Sequence, residues 1–312
     1  MPDHPTPGPI AVLPQADRVF TEAVASAGGT VAPLSAETRG LVWLSYRDPE
    51  GLRQILREHP SIEWVQLPWA GVDAFAEVIR EQSRPGLVWT SAKGAFARPV
   101  AEHALTLSLA LLRQLPTRLR ASSWGGKAGT SLYGLDVVIV GAGGIALELL
   151  RLLEPFQVRS TVVRRQDAAV PGADRTVTAE RLHEVLPDAN LVVVAAAFTG
   201  GTAKMFGAAE FERMKRSALL VNVARGGLVD TDALVTALDE GSIAGAGLDV
   251  TDPEPLPEGH PLWSAPNAII TPHSADTPEM TAPMLAERIR RNVRAFLDSG
   301  EFTGRVDPTA GY

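Results

Sequence analysis

The sequence predicts a two-domain α/β protein, one domain built on a doubly wound parallel sheet and the other a smaller α/β unit. Three observations predict it. Short apolar runs alternate with amphipathic stretches along most of the chain. One such run, Val137 to Val140, passes straight into a glycine-rich turn. The chain's 312 residues are enough for two cores of ordinary size.

The elements follow in order. Ile10 to Leu13 reads as a buried strand and Arg18 to Ala27 as a helix ended by Gly28 and Gly29. Leu41 to Leu44 is a strand, Pro49 to His59 a helix, Ile62 to Leu67 a strand, Asp73 to Gln82 a helix and Leu87 to Thr90 a strand. Strands written as unbroken apolar runs suit a parallel sheet with helices on both faces. Pro99 to Leu115 reads as a long, mostly buried helix leading into the second domain. Strands then recur at Val137 to Val140, Ser160 to Val163, Leu191 to Ala195, Ala218 to Val221 and Ala268 to Ile270. Pro278 to Leu297 forms a terminal amphipathic helix able to return to the first domain. The domains expected are 1–100 with 278–312, and 101–277.

Composition narrows the function. A formal net charge of −7 without a Lys/Arg cluster argues against nucleic acid or an anionic membrane as partner. The absence of cysteine removes disulfides, thiolate catalysis and thiolate metal ligands. The six histidines are scattered, so no metal is expected. The longest apolar stretches are too short to span a bilayer and the first residues lack the parts of a signal peptide, so cytoplasmic residence is the expectation.

Gly141-Ala142-Gly143-Gly144-Ile145-Ala146 has the form GxGxxA, between an apolar strand and the helical Leu147 to Leu153. Gly141 permits the tight turn, Gly143 lets a pyrophosphate approach the backbone, and Ala146 permits close packing of helix on strand. The helix start, with Gly144 and Ile145, offers N–H groups to phosphate. The chemistry read from this turn is dinucleotide binding in a Rossmann-type domain. An ordinary glycine-rich turn is the competing reading.

With that turn, the segments Asn222 to Asp230, Gly245 to Val250 with Glu254-Pro255, and Thr271-Pro272-His273 occur in an order that resembles the D-isomer-specific 2-hydroxyacid dehydrogenases. Val100 to Ala104 and Gly71-Val72-Asp73 also look like segments of that family. The resemblance implies a flavodoxin-like smaller domain and hydride transfer between a nicotinamide dinucleotide and a small 2-oxo or 2-hydroxy acid, in the manner of glyoxylate and hydroxypyruvate reductases. It implies that Arg225 binds carboxylate and carbonyl oxygens, that His273 is acid in reduction and base in oxidation, and that Glu254 pairs with His273. It further implies that Asp249 orients the nicotinamide carboxamide and that Ala224 lies among the cofactor contacts. The amides of Ala70 and Gly71 would hold the substrate carboxylate, with Ala92 to Gly94 lining the same cleft between the domains.

The chemistry argues the same way. An Arg presents a planar fork of donors that suits a carboxylate beside a carbonyl. Reduction of that carbonyl needs a proton as hydride arrives, and His supplies one near neutral pH. A neighbouring carboxylate would fix the imidazole tautomer. Read alone, Arg225 could be a surface residue, His273 a core or cap histidine and Glu254 a solvated loop acid.

Three departures from the family pattern stand out. Ala146 replaces the third glycine, the 194–199 segment lacks the family's His and Pro and with them a polar group and stiffness, and bulky Trp69 stands beside the inferred carboxylate turn. A short pocket suited to glyoxylate or hydroxypyruvate follows from Trp69. Arg164 and Arg165 stand at the end of the strand after the fingerprint, where NAD-specific folds carry Asp or Glu; Asp167 is too far along to substitute. NADP(H) is therefore the expected preference, with NAD(H) possible. A homodimer is expected from the apolar Leu105 to Leu112 helix together with the family's habit. Two other functions fit the fold: a non-catalytic NAD(H)-binding sensor or corepressor-like protein, and oxidation of formate or phosphite.

Overall fold

The computed structural model describes residues 4–265 and 267–308. The chain divides into two compact units, residues 1–96 with 277–312, and residues 97–276.

The first unit holds a parallel sheet of β1 (Ile10–Leu13), β2 (Gly40–Trp43), β3 (Trp64–Gln66) and β4 (Val88–Thr90), adjacent in that order. A single bridge between Ile10 and Val31 adds the rudiment of a strand outside β1. Counted in chain order, the arrangement becomes 2-1-3-4-5, the flavodoxin-like order. Helices α1 (Arg18–Ser26), α2 (Pro49–Glu58) and α3 (Ala76–Gln82) connect the strands. Asp17 and Asp48 start α1 and α2 by accepting the Val19 and Gly51 N–H groups. A late helix, Pro278–Arg294, returns to this unit and packs on α1, supplying Leu285, Ile289, Val293 and the following Phe296 to the core around Trp64.

The second unit begins with α4 (Ala97–Leu112) and α5 (Leu115–Leu119). There follow β5 (Asp136–Val140), α6 (Gly144–Leu153), β6 (Arg159–Arg164), β7 (Arg175–Thr178), α7 (Leu182–Val185) and β8 (Leu191–Val194). The rest is α8 (Ala208–Arg213), β9 (Leu219–Asn222), α9 (Thr231–Asp239), β10 (Gly245–Leu248) and β11 (Ala268–Ile270); the late helix of the first unit is α10. The seven strands are parallel, in the order β11-β10-β9-β8-β5-β6-β7. The chain runs outward from β5 through β6 to β7, then crosses back to β8. The order therefore reverses between β5 and β8, where ligands bind in such sheets.

Register fixes which residues share the carboxyl edge. Val140 pairs with Val194, Val194 with Asn222, Asn222 with Leu248, and Leu248 with Ile270. The residues just past these strand ends, namely Gly141, Ala195, Val223, Asp249 and Thr271, consequently stand in one row. Both faces of the sheet are apolar: Val138, Val192 and Leu220 belong to one cluster, Val137, Val193 and Val221 to the other. Leu107, Leu111 and Leu112 of α4 are buried in the second cluster, inside their own unit. Among the described residues, no helix is long and apolar enough to cross a membrane.

Candidate active site

The turn after β5 is built for close backbone approach. Gly141 has φ +114°, and a Cβ there would stand 2.5 Å from the Ala195 carbonyl oxygen, so only glycine fits where the β5 and β8 loops meet. Gly143 is the N-cap of α6, and the space a Cβ would occupy there has no atom within 4 Å. No side chain caps α6, which leaves the first-turn amides, Gly144 and Ile145 included, for an anion. Ala146 is fully buried against the sheet. An open approach at Gly143 above uncapped amides fits a dinucleotide pyrophosphate.

At the end of β6, the Arg164 guanidinium donates to the Ala168 carbonyl at 3.2 Å and to Gln166 Oε1 at 3.4 Å, lying over its own loop. Arg165 is exposed. No carboxylate occupies the last position of β6.

The turn after β9 carries Arg225. Asn222, fully buried, ties it from both ends: Nδ2 donates to the Arg225 carbonyl at 2.9 Å, and Oδ1 accepts the Ala224 N–H at 3.0 Å. Arg225 Nη1 donates to the Ala224 carbonyl at 2.7 Å. Gly226 follows because a Cβ there would overlap the Thr251 carbonyl. A Cβ on Gly227 would meet the Phe198 ring at 2.8 Å, so the loop after β8 reaches this turn. That loop lacks the family's His and Pro, yet Thr202 braces it: Oγ1 accepts the Thr199 N–H and donates to the Ala197 carbonyl, both at 2.8 Å.

His273 and Glu254 meet, with Nδ1 2.7 Å from Oε1, and each side chain is a little over two-fifths exposed, at 42% and 44%. His273 has φ +51°, a left-handed conformation uncommon outside glycine. Asp249 is 2% exposed, and its carboxylate accepts hydrogen bonds from Thr271, Ser274 and Ala275. Burial opposes its ionisation, but the His103 ring and those bonds outweigh it and hold its pKa below the ordinary carboxylate range. The group that the resemblance assigns to the carboxamide thus also ties down the His273 loop.

Sequence reasoning passed over three residues here. Asp276 is half-buried beside the site, and desolvation, reinforced by Asp249, pushes its carboxyl up to about 6 against His273 and Arg225. Asn222 lay inside a quoted motif without a role. His103 bonds Thr271 from α4. A polar residue within an otherwise apolar segment was the available signal for Asn222 and His103.

In the first unit, Trp69 stands edge-on to Tyr46 at 5.5 Å and to Phe96 at 5.7 Å, which fixes its ring beside the Ala70-Gly71 turn. Ala70 is exposed and Gly71 half-buried. The Ala92 N–H donates to the Trp69 carbonyl at 3.0 Å, joining the two turns. Gly94 has φ +77° and is exposed. Behind them, Arg288 of α10 is 7% exposed and donates to the Ser91 carbonyl at 2.6 Å and the Lys93 carbonyl at 2.8 Å. Desolvation lowers its pKa.

Residues 105–275 match the family described as D-isomer specific 2-hydroxyacid dehydrogenase, NAD binding domain. The chain belongs to the D-isomer-specific 2-hydroxyacid dehydrogenase family. Members are NAD(P)-dependent oxidoreductases of 2-hydroxy and 2-oxo acids. A glyoxylate reductase of Thermococcus gammatolerans is 35% identical over 245 residues, 74% of this chain and 71% of its own. An uncharacterized protein of Corynebacterium melassecola is 39% identical over 260 residues, 81% and 84% of the two chains. Among solved structures, a D-isomer specific 2-hydroxyacid dehydrogenase from Xanthobacter autotrophicus Py2, in complex with NADPH and MES, superposes with TM-score 0.80 at 27% identity, covering 98% of this chain and 100% of that one.

Proposed function

We propose that this dehydrogenase reduces a small 2-oxo acid, glyoxylate or hydroxypyruvate, to the D-2-hydroxy acid and prefers NADPH. The observation that carries the reading is the 2.7 Å His273–Glu254 pair on the sheet edge that also bears Arg225. Gly141, Gly143 and the start of α6 would hold the dinucleotide, which would supply the hydride. Arg225 binds the carboxylate and carbonyl oxygens of the acid through its fork of donors. Glu254 accepts from Nδ1–H of His273, which leaves Nε2 to pass the proton to the carbonyl oxygen as it gains charge. The family resemblance would give Ala70 and Gly71 amide contacts to the carboxylate and make Trp69 the limit on the acid's side chain. Relatives described as glyoxylate reductases support the choice of substrate.

The test is consumption of reduced cofactor at 340 nm with a panel of 2-oxo acids of increasing size. Glyoxylate and hydroxypyruvate should give the highest kcat/KM, and His273→Ala should lower kcat by roughly 100- to 10,000-fold. Preference for a long-chain acid would reject the substrate. Cofactor binding without turnover on any member of the panel would favour a sensor.

Arg164 carries the cofactor preference, with Arg165 assisting, because a guanidinium attracts a 2′-phosphate and no carboxylate on β6 repels it. The ratio of kcat/KM for NADPH over NADH should exceed one and fall in Arg164→Ala. A wild-type preference for NADH, or an NADPH preference surviving loss of both arginines, refutes it.

A homodimer is also proposed; of the α4 leucines, Leu107, Leu111 and Leu112 are buried in their own unit and Leu105 and Leu109 are half-buried, so the reading rests on a further surface as well. Leu115, Leu119 and Trp263 are exposed around an apolar recess of about 390 Å³. A monomer in sedimentation velocity at micromolar concentration would overturn it.

A further inference from the structure

Most of the hydrogen bonds that hold the backbone of His273 and the two residues after it lead to Asp249, two of them to its carboxylate. The His273 N–H is shared between the Asp249 carbonyl at 2.8 Å and the Thr271 carbonyl at 2.9 Å. Asp249 Oδ1 accepts the Ser274 N–H at 2.9 Å, and its Oδ2 the Ala275 N–H at 3.1 Å. Thr271 joins from the other side, donating its hydroxyl to Asp249 Oδ1 at 2.6 Å. These bonds hold His273 at φ +51°, a conformation a residue with a Cβ leaves unless its surroundings enforce it.

Thr271 has one hydroxyl proton, and Asp249 receives it. Its oxygen can therefore only accept from His103 Nε2, which lies 2.9 Å away and also 3.4 Å from Asp249 Oδ1. Nε2 of His103 must then carry hydrogen. A chain results: His103 Nε2–H donates to Thr271, Thr271 donates to Asp249, and the same carboxylate accepts the Ser274 and Ala275 N–H groups next to His273. His103 sits on α4, a helix packed against β9, β10 and β11, so the chain anchors the His273 loop to the core of the second unit.

We infer that His103 is a positioning residue, which acts through Thr271 and Asp249 to hold the His273 backbone in the conformation that aims its ring for proton transfer. The inference rests on the reading of His273 as the proton-transfer residue. His103→Phe keeps the ring's bulk and removes the donor, whereas Thr271→Val keeps the shape and removes the hydroxyl. Each breaks the same chain at a different link, so each prevents the other from mattering further.

The experiment compares wild type, His103→Phe, Thr271→Val, the double variant, His103→Gln and His273→Ala in steady-state turnover. Cofactor deuterated at the transferred position, and cofactor affinity by fluorescence titration, complete the set. Either single substitution should lower kcat about ten-fold with cofactor affinity unchanged. The primary isotope effect should rise because proton and hydride transfer become limiting. The double variant should be little worse than the worse single one, and His103→Gln, whose amide can donate, should recover most of the loss. A merely structural role for His103 would lower the active fraction, leave the isotope effect unchanged and add to the Thr271→Val loss; that result overturns the inference. So does a His103→Phe enzyme as fast as wild type beside an inactive His273→Ala. Wild-type turnover in His273→Ala would instead remove the reading of His273, and the inference with it.

Discussion

Asn222 offers the most direct test of how the Arg225 turn is made. In Asn222→Ala the turn loses two hydrogen bonds, at 2.9 and 3.0 Å, from a side chain with no solvent exposure. Each bond contributes about 1 kcal/mol net, and leaving the buried Ala224 N–H unsatisfied raises the total to about 2–4 kcal/mol. At roughly 2–4 °C per kcal/mol for a unit of this size, the melting temperature should fall by roughly 5–15 °C. Arg225 loses its fixed origin as well, so KM for the 2-oxo acid should rise. Asn222→Asp separates the two contacts, because it keeps an acceptor for Ala224 but turns a carboxylate toward the Arg225 carbonyl. It should be destabilised at neutral pH and regain stability under acid, when a protonated carboxyl donates to that carbonyl. Thermal melts and steady-state kinetics read both effects. Asn222→Ala melting within about 1 °C of wild type, with KM unchanged, would refute the idea that this side chain builds the turn.

Asp276 gives a pH-dependent expectation. Burial raises its carboxyl from 3.8 to about 6, so the folded state holds the proton more tightly than the unfolded one. The resulting stability is complete below the unfolded value and is lost as pH rises through about 6. Asp276→Asn should then be more stable than wild type at pH 8, by about 1 kcal/mol after allowance for solvent, and gain next to nothing at about pH 3. Melts across that range would refute this by giving a constant difference. Gly226→Ala drives a methyl into the Thr251 peptide and should cost about 1–3 kcal/mol or more while displacing Arg225. A variant with normal melting temperature and KM would contradict it.

The alternation of strand and helix, the fingerprint turn and the strand ends bearing Arg225 and His273 were all legible, because each is written locally. β7 was not, since Arg175-Thr-Val-Thr at the sheet edge buries only Val177. β10 gives a weak strand signal for the opposite reason. Gly247 is small because α4 lies on it, a Cβ there already standing 3.1 Å from the Leu107 Cβ; a Cβ on Gly245 would meet the Asn267 carbonyl at 2.7 Å, and Ala246 packs in the cluster on the other face. The supporting contacts were hidden by distance along the chain. Arg288 lies 197 residues from Ser91, and His103 lies 168 from Thr271. Nothing in either local pattern names the partner. For α4, spacing alone cannot separate leucines that face the sheet of their own unit, Leu107, Leu111 and Leu112, from those left half-buried, Leu105 and Leu109.

The division of the first unit into residues 1–96 and 277–312 has a consequence for synthesis. The second unit is one uninterrupted stretch, 97–276, and can complete its sheet while the ribosome is still adding residues. The first unit emerges earlier yet cannot finish. Its core lacks Leu285, Ile289, Val293 and Phe296, and its Gln66 lacks the Asn292 amide that donates to it at 2.7 Å, until α10 is made. At about 5–20 residues per second, the nascent sheet waits roughly ten seconds or more with Trp64 and its neighbours uncovered. The portion translated first is therefore the portion that folds last, and a chain released early would expose the apolar face on which α10 belongs.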